Sequence, residues 1–204
     1  EAELSTIARR PLGVGIINLA YFLAKRGLKY DKNAFGIINK YAEAWSYYLI
    51  KASADLAEER GACPKSNETK YSRGEVPIDT YKGAVDKLIK PKLRLPWKDL
   101  RKQLKEYGIR NSTLMALMPS ETSAQISNST NGIEPPRSLV TVKKSKQGLI
   151  PQVVPEILRL KNKYTLAYEM DDNKGYINLC AVMQKYFDQA ISANHYYNFG
   201  KYEN

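Results

Sequence analysis

Apolar side chains recur along this chain in two rhythms, and the breaks between them mark its elements. Between Gly15 and Lys25, the residues Ile16, Ile17, Ala20, Leu23 and Ala24 share one helical face, and Gly27 stands where a helix closes. Phe35, Ile38, Tyr41, Ala42, Trp45, Tyr48, Leu49, Ala52 and Leu56 follow at helical spacing. They predict a helix over 35–60, stopped by Gly61. Its aromatic stripe reads as core, and of the adjacent Tyr47 and Tyr48 at most one can face inward. Residues 62–95, rich in Pro, Gly, Lys and Asp, predict loop with one short helix near Thr80–Ile89. Pro91 and Pro96 bracket a short extended piece there. Trp97–Tyr107 predicts a helix with Trp97, Leu100 and Leu104 inward and Gly108 as its C-terminal cap.

Thr113–Met118 then reads as a short buried strand. It ends at Pro119 in the polar run Ser120-Glu121-Thr122-Ser123, where Ser120 or Thr122 is expected to cap a short helix. Asn131–Pro136 is excluded from helix by its two prolines. Leu139–Lys143 and Leu149–Val153 predict extended runs joined by a turn at Ser145–Gly148. Val154–Met170 predicts a helix entered through Pro155, and Asp171–Gly175 a tight connection. Tyr176–Ser192 predicts the last helix, with Ile177, Cys180, Met183, Phe187 and Ile191 inward. Helices alternating with short buried strands argue for a parallel α/β sheet or barrel in one domain-sized segment, 1–204.

Composition narrows the class. Hydrophobic residues make up 43% and charged residues 26%, which excludes a disordered chain. Cys63 and Cys180, far apart, do not form a secreted disulfide framework, though one buried pair stays open. With no apolar run of membrane-spanning length and no signal peptide in view, a cytoplasmic protein without a membrane partner is expected. The chain starts at Glu1 rather than Met, as a trimmed or partial sequence would. The net charge of +11 invites a nucleic-acid reading. The basic residues are scattered, however, with local clusters at Lys87–Arg94 and Lys143–Lys146 and no recognition module, so solvated faces are the simpler account and no nucleic-acid partner is expected. Such a surface would still attract a nucleotide diphosphate or an acidic subunit.

Candidate chemistry is sparse. Gly13 and Gly15 lack the preceding strand and third glycine of a dinucleotide loop. Asp171-Asp172-Asn173 lacks the spacing and terminal Glu of a calcium loop, and the lone His195 excludes a histidine-rich site, so no metal is expected. The Ser/Thr run after Pro119 is the exception. Taken alone it reads first as a helix cap and second as a phosphate pocket of backbone N–H groups and hydroxyls.

A wider motif changes that weight. Trp97, Leu100, Gly108-Ile109-Arg110-Asn111, Met115-Ala116 and Pro119 fall at the spacing of the signature of the ribonucleotide reductase large subunit. Arg9–Asn18 with Ala20–Ala24, Gly61–Pro64, Pro77–Tyr81, Met183–Lys185 and Asp188–Asn194 also resemble that family, most closely its aerobic class I type acting on diphosphates. The resemblance implies a ten-stranded α/β barrel made of two halves, of which this chain is similar to the second. It implies that Ser120, Glu121, Thr122 and Ser123 bind the substrate diphosphate, with Ala124 contributing its N–H. It places the radical cysteine, its carboxylate and the reducing cysteines outside these residues, so no catalytic residue is expected here and the chain alone is expected to be inactive. Cys63 falls at a non-catalytic family position, Cys180 reads as a buried inert thiol, and Tyr196-Tyr197 reads as ordinary surface or interface aromatics rather than a radical relay.

The partners so implied are an N-terminal large-subunit fragment or the remainder of the same chain, a radical-generating small subunit, thioredoxin or glutaredoxin, and a ribonucleoside diphosphate. No cofactor is expected on this chain, because the family takes its radical from a metal-containing small subunit. A segment of the large subunit for deoxyribonucleotide synthesis is the leading expectation, and a split enzyme and a truncated full-length chain fit the sequence equally. A non-catalytic nucleotide- or partner-binding scaffold of the same fold is the alternative.

Overall fold

Long apolar stripes with clear stop residues become helices in the computed structural model, which describes residues 1–90, 92–145 and 148–197. Helix α1 is Ala2–Arg9, α2 is Leu19–Lys25, α3 is Lys32–Arg60 and α4 is Trp97–Tyr107. α5 is the single turn Ser123–Ile126, β1 is Val140–Ser145, β2 is Gly148–Val153, α6 is Ile157–Leu160 and α7 is Lys174–Gln184. No helix among the described residues is long and apolar enough to cross a membrane. α4 has the expected bounds, buries Trp97, Leu100 and Leu104, and ends at Gly108 with φ 73°. The stop at Gly27, with φ 66°, is also where expected. Helix α1 has no counterpart in the sequence reading; it buries no side chain, and its apolar Leu4 and Ile7 are exposed.

Several elements differ from expectation, each for a tertiary reason. The helix expected from Gly15 starts only at Leu19. Asn18 sits at φ 70°, its N–H donates to the Thr130 carbonyl, and its Oδ1 accepts the Thr130 N–H. This pairing holds the preceding residues extended, and Ile17 is exposed. In α3, Tyr47 is buried edge-on against Trp97 (5.3 Å, 83°), while Tyr41, Tyr48 and Leu56 face out. Only one of the adjacent tyrosines is inward, as expected. The helix at Thr80–Ile89 shrinks to a 3-10 turn, Gly83–Lys87. The buried Lys185 ammonium holds that segment by donating to Asp86 (2.7 Å) and to the Ile89 carbonyl.

The helix over Val154–Met170 contracts to the one turn α6. Glu156 is left-handed (φ 51°), Tyr164 Oη donates to the Pro155 carbonyl, and Ala167 N–H donates to the Pro136 carbonyl in place of helical bonds. α7 begins at Lys174, so Gly175 belongs to its first turn, and it ends at Gln184 rather than Ser192. The Gln184 carboxamide bonds Phe187 O, Gln189 O and Ile191 N–H, and these hold the following residues in a loop. The buried face of α7 carries Tyr176, Leu179, Val182 and Met183, whereas Ile177 is exposed and Cys180 is only half-buried.

The strand Thr113–Met118 makes one parallel bridge, Val14↔Met115. Leu114 and Met115 turn their N–H groups to the Asp188 carboxylate (2.7 and 2.9 Å) instead of a neighbouring strand. The expected parallel sheet is therefore reduced to that bridge among the described residues. The sheet that forms is the antiparallel β1–β2 hairpin, in register from Val140↔Val153 to Ser145↔Gly148. Of the expected turn at Ser145–Gly148, residues 146–147 lie outside the described residues. So do Pro91, which bounds the expected extended piece and falls within the Lys87–Arg94 cluster, and Lys146 of the second cluster.

Packing divides the chain into two compact units. The first comprises Glu1–Val14, Gly36–Ala116 and Cys180–Ile191. Its core gathers Ile38, Ala42, Ile50 and Ala54 of α3 with Leu100 and Leu104 of α4, Ile109 and Met115. The second comprises Gly15–Phe35, Leu117–Leu179 and the described residues from Ser192. Its core joins Leu19, Ala20, Leu23 and Ala24 of α2 to Ile133, Leu160 and Leu179, with Tyr30 edge-on to Tyr176 (5.6 Å, 90°).

Candidate functional site

The polar run after Pro119 belongs to the second unit, and its shape follows from where its hydrogen bonds go. Ser120 is buried, while Glu121, Thr122 and Ser123 are exposed. Neither Ser120 nor Thr122 caps α5 through its side chain, contrary to expectation. The Ser120 hydroxyl is engaged elsewhere: it donates to Asn131 Oδ1 (3.1 Å) and accepts the Gly132 N–H (2.8 Å). The Ser120 N–H also donates to Asn131 Oδ1 (2.6 Å). The Ser120 carbonyl in turn accepts the Ala124 N–H (2.9 Å) and the Ser123 hydroxyl (3.3 Å).

These bonds sort the five residues expected at the site. Ser120 and Ala124 shape the loop, and their donors point into it. The N–H groups of Glu121, Thr122 and Ser123 have no acceptor among the described residues. Three donors without an acceptor, in consecutive exposed residues, can take an anion.

Behind the loop lies a buried carboxylate that the sequence reading assigned no role. Glu134 is 4% exposed. Its Oε2 accepts Asn131 Nδ2–H (3.0 Å), and its Oε1 accepts both the backbone N–H (3.1 Å) and Nδ2–H (2.8 Å) of Asn194. Burial pushes its carboxyl above the usual carboxylate range, against the pull of those hydrogen bonds. The only sequence signal for it is its place before Pro135-Pro136, which makes the stretch rigid and non-helical.

A cleft of about 260 Å³ opens beside the loop, with Glu121, Asn131, Glu134, Arg137, Lys143 and Tyr196 among its walls. Arg137 pairs with Glu121 at 3.4 Å, both half-exposed, so the pair contributes little stability, roughly 0–1 kcal/mol. The Glu121 carboxylate thus has a guanidinium beside it. Lys143 Nζ donates to Thr122 Oγ1 (2.8 Å), which brings a cation from β1 to the exposed loop. Gln152 of β2 meets Gln125 (3.3 Å) and the Ser129 carbonyl (3.4 Å).

The remaining candidates take quiet roles. Cys63 is buried, and burial pushes its thiol up, away from the reactive thiolate. Neither cysteine is in a disulfide, which closes the option of a buried pair. Tyr197 is exposed as expected, but Tyr196 is packed edge-on to Tyr168 at 5.5 Å, and burial raises its phenol.

Ser120→Ala removes the acceptor of a buried N–H at Gly132. It is expected to destabilise the fold by about 1–3 kcal/mol in urea unfolding and to speed amide exchange at Gly132.

Comparison with known proteins agrees with the motif. The family model of the ribonucleotide reductase barrel domain matches residues 1–203. The ribonucleoside-diphosphate reductase subunit alpha of Haemophilus influenzae is 53% identical over 203 residues, 99% of this chain and 27% of that protein. The ribonucleoside-diphosphate reductase 1 subunit alpha of Escherichia coli is 52% identical over 198 residues, 97% of this chain and 26% of that protein. The subunit alpha of Enterobacteria phage T4 is 46% identical over 192 residues, 93% of this chain and 25% of that protein. The chain spans about a quarter of the length of the curated relatives it matches.

Proposed function

Because the chain belongs to the ribonucleotide reductase barrel-domain family, matched over residues 1–203, we propose that it is one segment of the large subunit of a class I ribonucleoside-diphosphate reductase. The match along nearly the whole chain carries this reading. In it, the 204 residues form one segment, part of the second half of a ten-stranded α/β barrel. The parallel run of residues 12–14 beside 113–116, bonded from Leu12 N–H to Thr113 O and from Val14 N–H to Leu114 O, supports that arrangement.

The substrate is a ribonucleoside diphosphate, and this segment's task is to bind it. Glu121, Thr122 and Ser123 receive the diphosphate on their backbone N–H groups, with the Thr122 and Ser123 hydroxyls beside them. Ser120 and Ala124 hold the loop that presents these groups, and Arg137 and Lys143 offset the ligand's charge. The reducing cysteines come from the remainder of the large subunit, on the same or a separate chain. Thioredoxin or glutaredoxin recharges the complete enzyme, in the cytoplasm. The radical originates in a metal-containing small subunit, and this segment holds no cofactor of its own.

A pull-down from the native source, with this chain as bait and the eluate assayed for reduction of a ribonucleoside diphosphate, tests the proposal. Co-purification of a cysteine-bearing chain with activity supports it. Recovery of the chain in a complex that binds no ribonucleoside diphosphate and reduces none removes it.

A further inference from the structure

The buried Glu134 stands in the second unit with no ion-pair partner within bonding distance among the described residues, and three N–H donors converge on it. A carboxylate lining the same cleft as an anion site repels the ligand, so its charge works against affinity there. Its chemistry as a hydrogen-bond partner explains its presence. An ionised carboxylate only accepts, and can take donors on both oxygens. By accepting Asn131 Nδ2–H it forces that carboxamide to present Oδ1 to the opposite side. There Oδ1 collects both the N–H and the hydroxyl of Ser120. The Ser120 oxygen is thereby left to accept the Gly132 N–H. Asn194 locks the other end of the carboxylate with two donors.

We propose that Glu134 is a positioning residue for the diphosphate loop: it orients the Asn131 carboxamide, which fixes Ser120 and so holds the Glu121–Ser123 N–H groups ready for the anion. This inference rests on the reading of the loop given under Proposed function. Glutamine at 134 breaks the relay although it matches in shape. If its oxygen keeps the Asn194 donors, its NH2 faces the NH2 of Asn131, and the carboxamide must turn a donor toward the Ser120 N–H. Aspartate at 131 fails alone, because it sets a carboxylate against the Glu134 carboxylate. Together the two changes fit again: the new aspartate accepts from Ser120 and from the new glutamine, whose oxygen accepts from Asn194.

The test is titration of CDP and of pyrophosphate into the complete large subunit carrying this segment, as wild type, E134Q, N131D and the double variant, with KM and kcat measured on the same samples. Each single variant is expected to bind about 10-fold more weakly and to raise KM with kcat nearly unchanged, and the double variant to return to within about 3-fold of wild type. A residue that merely holds the fold would lower kcat with the folded fraction and leave KM unmoved. Wild type that binds neither probe removes the functional reading, and this inference with it. Wild type that binds while E134Q binds equally well overturns the inference alone. Should E134Q not fold, NMR on the unvaried protein decides. Asn131 side-chain NH2 and Ser120 N–H signals that shift together on adding CDP support the relay, and unmoved signals overturn it.

Discussion

Glu43→Ala is expected to destabilise the chain by about 3–5 kcal/mol, because one substitution strips the acceptor from several donors at once. Glu43 lies on the buried side of α3 with 1% of its side chain exposed. Its Oε1 accepts the Arg94 N–H (2.6 Å), the Leu95 N–H (3.3 Å) and the indole N–H of Trp97 (3.2 Å), while Oε2 faces the Arg94 guanidinium at 3.3 Å. The carboxylate thus ties the entry of α4 to α3. Alanine leaves the buried Trp97 indole N–H and the part-buried Arg94 and Leu95 N–H groups without their acceptor and removes side-chain volume beside Trp97. Urea unfolding of wild type, Glu43→Ala and Glu43→Gln measures the effect. Glutamine retains one acceptor and is expected to lose roughly half as much. A loss under about 1 kcal/mol for alanine would mean that water replaces the carboxylate at no great cost.

Gly175→Ala comes next, with an expected loss of about 3 kcal/mol. A Cβ at Gly175 would stand 2.0 Å from the Tyr30 carbonyl oxygen, and backbone cannot swing aside as the tip of a side chain can. The first turn of α7 would have to move off Tyr30, breaking the edge-on contact with Tyr176. Gly36 is the internal control. It lies within α3 with nothing within 4 Å of the Cβ position. Gly36→Ala is therefore expected to stabilise by up to about 1 kcal/mol through helix propensity and lower unfolded-chain entropy. Thermal unfolding of the two variants should shift in opposite directions, and equal shifts would show that the close approach at Gly175 is relieved without strain.

Both effects involve residues that periodicity alone passes over. Glu43 is a charged residue inside an apolar stripe, and Gly175 reads from sequence as part of a turn. What the pattern did capture was local. The stripe and cap of α4 are complete in themselves: three inward residues at helical spacing and a glycine able to take positive φ. The family motif spanning Trp97 to Pro119 likewise placed the loop in sequence, and the family match bears out the resemblance.

Patterns were misleading wherever a distant group competed for the same backbone. Val154–Met170 has the composition of a helix, yet Tyr164 and Ala167 bond to Pro155 and Pro136. Thr113–Met118 has the composition of a strand, yet the Leu114 and Met115 N–H groups turn to Asp188, and its pairing stops at the short parallel bridge to Val14. In α7 the apolar residues chosen by spacing included Ile177, and contact with Tyr30 rotates the helix so that Tyr176 goes in and Ile177 out.

The sequence by itself determined the family, the long helices and the location of the polar loop, because those depend on residue identity and short-range spacing. Only the tertiary structure decided which of the loop's donors are engaged and which are left without an acceptor among the described residues. That choice is made by Asn131, 11 residues from Ser120, and by Glu134, which bonds across 60 residues to Asn194. Hydrogen bonds of that reach have no period, and a chain reveals them only when its fold brings donor and acceptor together.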